Sequence, residues 1–232
     1  MMIISRHEEG VLWLSLNRTT AANSLNLELY DALHASMRQA AADPEVKCIV
    51  LTGEGSKAFC AGADLKAFAE LSREQAELRH LSLLERCFED ILGCGKPVVA
   101  SVQAAAVGAG LMLAALCDEI LMAEHTWVSL PEVLFDMPTP IGAAILSSRV
   151  RYGSLHRLVQ LGERMGAAQC LSEGLATQVM PLEQLRKATE DRAQTLAKIP
   201  QHAYAINKQW MTQSTRAELA KACLLARSVL EH

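Results

Sequence analysis

The apolar positions of this chain change period several times along its length. "MMII" and "VLWLSL" flank the polar "SRHEEG", a pattern that predicts a hairpin. In "SLNLELYDALHASMRQAAAD", Leu25, Leu29, Leu33 and Met37 recur at helical spacing, with Asn26 placed to cap the first turn. "CIVLTG" is a continuous apolar run, the mark of a strand covered on both faces. "REQAELRHLSLLERCFEDILGC" predicts a long amphipathic helix. "KPVVASV" follows as a second buried strand with Pro97 at its edge, then "GAGLMLAALC" as an apolar helix and "EILMA" as a third strand. From about Ile141 the pattern is mostly helical, over residues 141–151, 154–174, 182–198 and 201–230, with a short strand in "TQVMP".

Strand and helix therefore alternate through the first part of the chain, which implies parallel pairing with helical crossovers and an α/β fold. The change to helix predicts a core over residues 1–180 and a helical C-terminal part over residues 181–232, with a soft boundary near Leu175 to Leu182.

Composition narrows the possibilities. Half of the 232 residues are hydrophobic but only 4% are aromatic, so the core must be built from aliphatic side chains. A net charge of −4 and the absence of any Lys/Arg run argue against nucleic acid as a partner. No apolar stretch is long enough to span a membrane. The opening "MMIISRHEEG" is charged too early for a signal peptide. Seven cysteines without CxxC spacing read as reduced thiols in a cytoplasmic protein, and no Cys/His cluster suggests a metal site.

Two segments share an unusual property. "FCAGADL" (Phe59 to Leu65) and "VQAAAVGAGLML" (Val102 to Leu113) each pass from strand through small residues toward a helix. The first N–H groups of a helix have no partner within it and carry partial positive charge. Two such sites meeting at one point would form an oxyanion hole, and small residues would let a carbonyl approach the backbone. Ordinary glycine-containing turns are the alternative on composition alone.

The order of the segments adds to this. "NRTTAANSLNLELYDAL", "KAFCAGADLKAF", "KPVVASVQAAAVGAGLMLAALCDEILMAEHTWVSLPEVLFDMPTPIGAA" and "RMGAAQCLSEGLATQVMP" resemble, in register from about Ile3 to Pro181, the enoyl-CoA hydratase/isomerase (crotonase) superfamily. The resemblance implies a spiral of ββα units with a helical C-terminal part, assembled as a homotrimer or hexamer. It also implies an acyl-CoA or acyl-carrier-protein thioester as substrate and no cofactor. Matched residue by residue, the oxyanion donors fall on the N–H groups of Ala63 and Ala109. The second of these is an alanine where the family usually has glycine. The substrate contacts implied near the first donor are Ala22, Ala61, Gly62, Asp64 and Leu65. Near the second they are Gly108, Gly110, Met112 and Pro140.

Family hydratases carry two glutamates. Here the first position is Met112 and the second is Glu132, in "LPEVLF". Members with the second glutamate alone resemble enoyl-CoA isomerases, in which one carboxylate moves a proton between carbons. The apolar neighbours Val128, Leu130, Pro131, Val133, Leu134 and Phe135 are expected to desolvate Glu132 and raise its pKa toward the range useful to a general base.

Other side chains carry weaker expectations. Asp64 fits a helix cap better than a catalytic group. Cys60 fits a buried thiol better than a nucleophile. Asp136 is a lesser candidate for a second acid, and His125 is expected to be structural or exposed. Lys208, Lys221 and Arg227 could meet CoA phosphates, although a solvated helix face is the plainer expectation. The double proline in "MPTPIGAA" is similar to crotonase-like decarboxylases of polyketide β-branching. The favoured expectation is double-bond migration. The alternatives are hydration, decarboxylation of a carrier-bound glutaconyl thioester, and a non-catalytic acyl-CoA-binding protein.

Overall fold

The computed structural model describes residues 1–68 and 73–230. Strands β1 (Ile3–Glu8) and β2 (Val11–Leu16) form the antiparallel hairpin, turning through Glu9 and Gly10, both at positive φ. Helix α1 (Leu27–Ala42) starts at Asn26, whose side-chain oxygen accepts the Leu29 N–H at 3.0 Å.

The chain then repeats one unit. Strand β3 (Cys48–Gly53) leads to β4 (Ala58–Cys60) and α2 (Arg73–Gly93). Strand β5 (Val98–Val102) leads to β6 (Ala105–Val107) and α3 (Ala109–Leu116). Strand β7 (Glu119–Ala123) leads to β8 (Trp127–Ser129) and, after a 3-10 turn over Pro131–Phe135, to α4 (Pro140–Leu146). Next come α5 (Tyr152–Leu161), β9 (Met165–Gly166), α6 (Ala167–Glu173) and β10 (Gln178–Met180). Helices α7 (Leu182–Ala197), α8 (Gln201–Met211) and α9 (Gln213–Leu230) complete the described chain.

The first strand of each unit joins one sheet, in the order β1-β2-β3-β5-β7-β10, parallel from β2 onward. The second strand joins a smaller sheet, β4-β6-β8-β9. Successive units thus climb along two sheets as an α/β spiral of ββα units with helices at the C-terminal end.

Strand periodicity explains how the large sheet is covered. Ile49 and Leu51 of β3 enter the main core with Leu29, Leu33 and Phe88. Cys48 and Val50, one residue out of phase, face the other side. There they pack with Trp13, Val99 and Leu121, and with Leu185 and Leu196 of α7. Both faces are buried, as the continuous apolar run in "CIVLTG" requires.

Several boundaries differ from those the pattern predicts. The helix expected over 154–174 is interrupted by β9, which pairs antiparallel with β8. The helix expected over 201–230 breaks at Thr212, and that expected over 141–151 ends at Leu146. Lys208, expected on a solvated face, is buried. Its Nζ donates to Asp118 Oδ2 at 2.7 Å and to the Lys96 carbonyl at 3.1 Å, pinning α8 to the core. All seven cysteines are buried and unbridged. Among the described residues no helix is long and apolar enough to cross a membrane, and no His/Cys/Asp/Glu group is arranged to hold a metal.

Candidate active site

Strands β4 and β6 are neighbours in the small sheet, with Ala58 opposite Ala105 and Cys60 opposite Ala106. This pairing sets Ala61-Gly62-Ala63 beside Val107-Gly108-Ala109. The approach is close: a Cβ on Gly62 (φ +91°) would lie 3.0 Å from the Val107 carbonyl and 3.6 Å from the Ala109 nitrogen. Gly110 has a different job. A Cβ there would lie 2.2 Å from the Cys60 carbonyl oxygen, so glycine is what lets α3 pack against β4.

The segment before α1's cap holds the first turn in place. Ala61 donates its N–H to Ala22 O at 3.1 Å, Leu25 donates to Gly62 O at 2.8 Å, and Asp64 donates to Leu25 O at 3.0 Å. In this parallel bridge between Leu25 and Ala63 the neighbours of Ala63 make the hydrogen bonds, and the Ala63 N–H itself has no acceptor among the described residues. Ala109 is the first residue of α3, so its N–H also lacks an intrahelical acceptor. The first donor differs in setting from expectation: it precedes a 3-10 turn (Leu65–Phe68) rather than an α-helix.

Strand β8 lies next to β6, with Val107 opposite Ser129, and its continuation delivers Glu132 to the same place. A Cβ on Gly108 would lie 2.9 Å from Glu132 Oε1. Glu132 Oε2 is buried without a hydrogen-bond partner. Burial raises the carboxyl pKa to about 6, partly offset by a backbone hydrogen bond. Of the apolar neighbours expected to enclose the carboxylate, Val128 and Leu130 are buried, and Pro131 and Phe135 line the same cavity as Glu132. Leu134 and Phe135 are 64% and 66% exposed; the Gly108 turn, from a distant segment, also packs against the carboxylate.

A cavity of about 230 Å³ opens at these groups, and Ala61, Gly62, Ala63, Gly108, Ala109, Met112, Glu132 and Pro140 all line it. Ala22 and Gly110 do not; both act through the backbone and packing contacts just described. Asp64 is committed elsewhere, to an ion pair with Arg18 at 2.6 Å and to the Lys66 N–H at 3.2 Å, as a cap. The side chain of Leu65 lies outside the described residues. Burial pushes the Cys60 thiol up to about 12, which removes it as a nucleophile at neutral pH. Asp136 faces a second cavity rather than this one. His125 is exposed. Lys221 pairs with Glu218 and Arg227 with Glu85.

Sequence reasoning missed one wall entirely. Glu77, His80, Leu81 and Leu84 of α2 and Ala226 of α9 also line the cavity. His80 Nδ1 lies 3.0 Å from the hydroxyl of fully buried Tyr30, and burial lowers the imidazole pKa to about 4, so the ring is neutral at physiological pH. The amphipathic spacing of α2 was legible, but not which end of its buried face would meet the donors.

Two preorganised N–H groups beside a desolvated carboxylate can hold a developing enolate oxygen while a proton is moved. Comparison with known proteins gives the family. The family model described as enoyl-CoA hydratase/isomerase matches residues 6–232. The chain is 34% identical to YngF of Bacillus subtilis strain 168, over 86% of this chain and 79% of that protein. It is 32% identical to the 2,3-dehydroadipyl-CoA hydratase of Escherichia coli K12, over 94% and 84% of the two chains. The solved enoyl-CoA hydratase from Bacillus anthracis superposes with a TM-score of 0.88 at 27% identity, covering 100% of this chain and 90% of that one. The protein belongs to the enoyl-CoA hydratase/isomerase family.

Proposed function

We propose that the protein is an isomerase that converts 3-enoyl thioesters to 2-enoyl thioesters. The thioester carbonyl accepts hydrogen bonds from the N–H groups of Ala63 and Ala109. Ionised Glu132 takes a proton from C2, and the electron pair delocalises into a dienolate whose oxygen rests on the two donors. The protonated Glu132 then returns the proton to C4, leaving the double bond between C2 and C3. One carboxylate suffices, and no redox change occurs. The observation that carries this reading is the pairing of Glu132 with the Gly108 turn while position 112, where family hydratases have their other glutamate, is Met.

Glu77, which lines the same cavity, favours a second reading: hydration of a 2-enoyl thioester, with Glu77 in place of the missing glutamate. Turnover of 3-enoyl, 2-enoyl and β-carboxyacyl thioesters, on CoA and on carrier protein, tests both. Isomerase turnover retained in Glu77→Gln supports the first. Water addition that exceeds isomerisation in wild type and is lost in Glu77→Gln replaces it with the second. We further propose a trimeric or hexameric assembly in the cytoplasm. Ile206, Trp210 and Met211 of α8 are exposed apolar side chains that such an assembly would cover, and sedimentation tests this.

A further inference from the structure

The Ala63 donor precedes a short 3-10 turn, so no long helix fixes its direction. It is bordered instead by the loop between β2 and α1, through the Leu25–Ala63 bridge. Arg18 O accepts the N–H groups of Ala21 and Asn23, both at 3.0 Å, which winds this loop tightly. Ala22 and Asn23 take left-handed backbone conformations, with φ +51° and +56°. Such residues cost on the order of 1–3 kcal/mol each and persist only where the surroundings hold them.

Two side chains tie the loop to the donor's turn. Asn23 is fully buried. Its Nδ2 donates to Glu54 O and Ala58 O, both at 2.9 Å, and its Oδ1 accepts the Arg18 N–H at 2.9 Å. The loop is thereby joined to the segment that leads into β4, upstream of the donor. Arg18 holds the downstream side. Its guanidinium pairs with Asp64 Oδ2 at 2.6 Å and donates to Ser24 O at 3.0 Å and to Ser24 Oγ at 2.8 Å. Asp64 is the residue after Ala63, and Ser24 is the residue before Leu25. The paired side chains are only 22% and 16% exposed, so solvent screens them less than it would a surface pair.

We propose that Arg18 is a positioning residue: by clamping Asp64 to Ser24 it sets the direction of the Ala63 N–H in the oxyanion hole. The proposal rests on the reading of Ala63 as an oxyanion donor, and not on which reaction the site performs. None of Arg18, Asn23, Ser24 and Asp64 lines the reaction cavity, so their influence on turnover must pass through the backbone. Arginine suits the task because its planar fork presents several donors in fixed directions, to a carboxylate, a carbonyl and a hydroxyl at once. Lysine offers a single point charge in place of that fork.

The test is the infrared carbonyl stretch of bound butanoyl-CoA, together with kcat and KM for the enoyl thioester that the wild type turns over. Butanoyl-CoA lacks the double bond on which the site acts, so it binds without reacting. Oxyanion donors polarise the carbonyl and lower its stretching frequency. In Arg18→Met that lowering should shrink, and kcat should fall roughly tenfold to hundredfold with KM nearly unchanged. Arg18→Lys and Asp64→Asn should show the same effects in smaller measure, and they carry the test if Arg18→Met does not fold. Arg192→Met breaks the ion pair between α7 and Glu119. It controls for a general loss of stability and should leave the stretch and kcat as they are. A wild-type stretch and kcat in the folded Arg18 and Asp64 variants overturns the proposal. So does an equal loss of kcat in Arg192→Met at the same thermal shift, because the role of Arg18 is then structural alone. Ala63→Pro separates the two readings. If it removes part of the lowering while the Arg18 and Asp64 variants do not, the clamp alone fails. If it leaves the stretch unchanged, the donor reading itself fails, and the clamp with it.

Discussion

Gly108 and Glu132 share one small space: a methyl on the glycine would sit 2.9 Å from the carboxylate's Oε1. Gly108 has φ +55°, a conformation that glycine adopts without strain, and it immediately precedes the Ala109 donor. The carboxylate and the proposed oxyanion hole are therefore parts of one packed unit. The following outcomes are expected from it and from the contacts that support it.

Glu132→Gln keeps the shape and removes the base. Turnover should fall by roughly 10²–10⁴, with thioester affinity nearly unchanged, so that kcat carries the loss. In wild type, kcat/KM should rise with pH and level off above about 6, where the carboxylate is ionised. Full activity in the amide variant would remove Glu132 from the mechanism.

The same substitution should change stability in a pH-dependent way. The carboxyl pKa is raised from 4.5 to about 6 in the folded protein. The folded state therefore holds this proton more tightly than the unfolded chain does. That contribution is fully present below about 4.5 and is lost as pH rises through about 6. Above pH 6 the buried charge costs about 2 kcal/mol at 1.36 kcal/mol per unit. Relative to wild type, Glu132→Gln should gain stability between pH 4 and pH 8 by about that amount. Denaturant unfolding at the two pH values measures the difference, and parallel curves would contradict it.

Ala63→Pro removes an N–H that the Leu25 bridge does not use, so the bridging hydrogen bonds of Gly62 and Asp64 persist. Turnover should drop by roughly 10²–10³. A folded variant with wild-type rate would show that the Ala63 N–H is not an oxyanion donor.

Met112→Glu places a carboxylate where family hydratases have one, and should introduce water addition to a 2-enoyl thioester. Met112 is buried where it lines the reaction cavity with Glu132, so a second charge there is poorly solvated and stability should fall. Comparing hydration by variant and wild type decides the point; equal rates would show that Met112 is not what excludes hydration.

Lys208→Met should cost about 3–5 kcal/mol, the usual result of removing one partner from a buried ion pair. Asp118 would keep its Val98 N–H but lose the ammonium group at 2.7 Å. Thermal unfolding reads the loss. A change below about 1 kcal/mol, typical of exposed pairs, would mean that α8 is held by other contacts.

The sequence by itself determined the elements long enough to show a period. β3, β5 and β7 are continuous apolar runs, α1 and α2 repeat at helical spacing, and Asn26 caps by a local hydrogen bond. The two small-residue turns and Glu132 were legible because their chemistry depends on residue type and order. Tertiary structure decided the rest. Strands β4, β6 and β8 span three residues each, too few for any period to register, yet their pairing is what joins Ala63, Ala109 and Glu132. The Gly108 turn packs against the Glu132 carboxylate from a distant segment, while the neighbours Leu134 and Phe135 are largely exposed. Asp64 turns to Arg18, and Lys208 is drawn into the core by Asp118. Burial and ion pairing arise from distant segments meeting in space, and no local pattern of hydrophobic and polar residues encodes which segments meet.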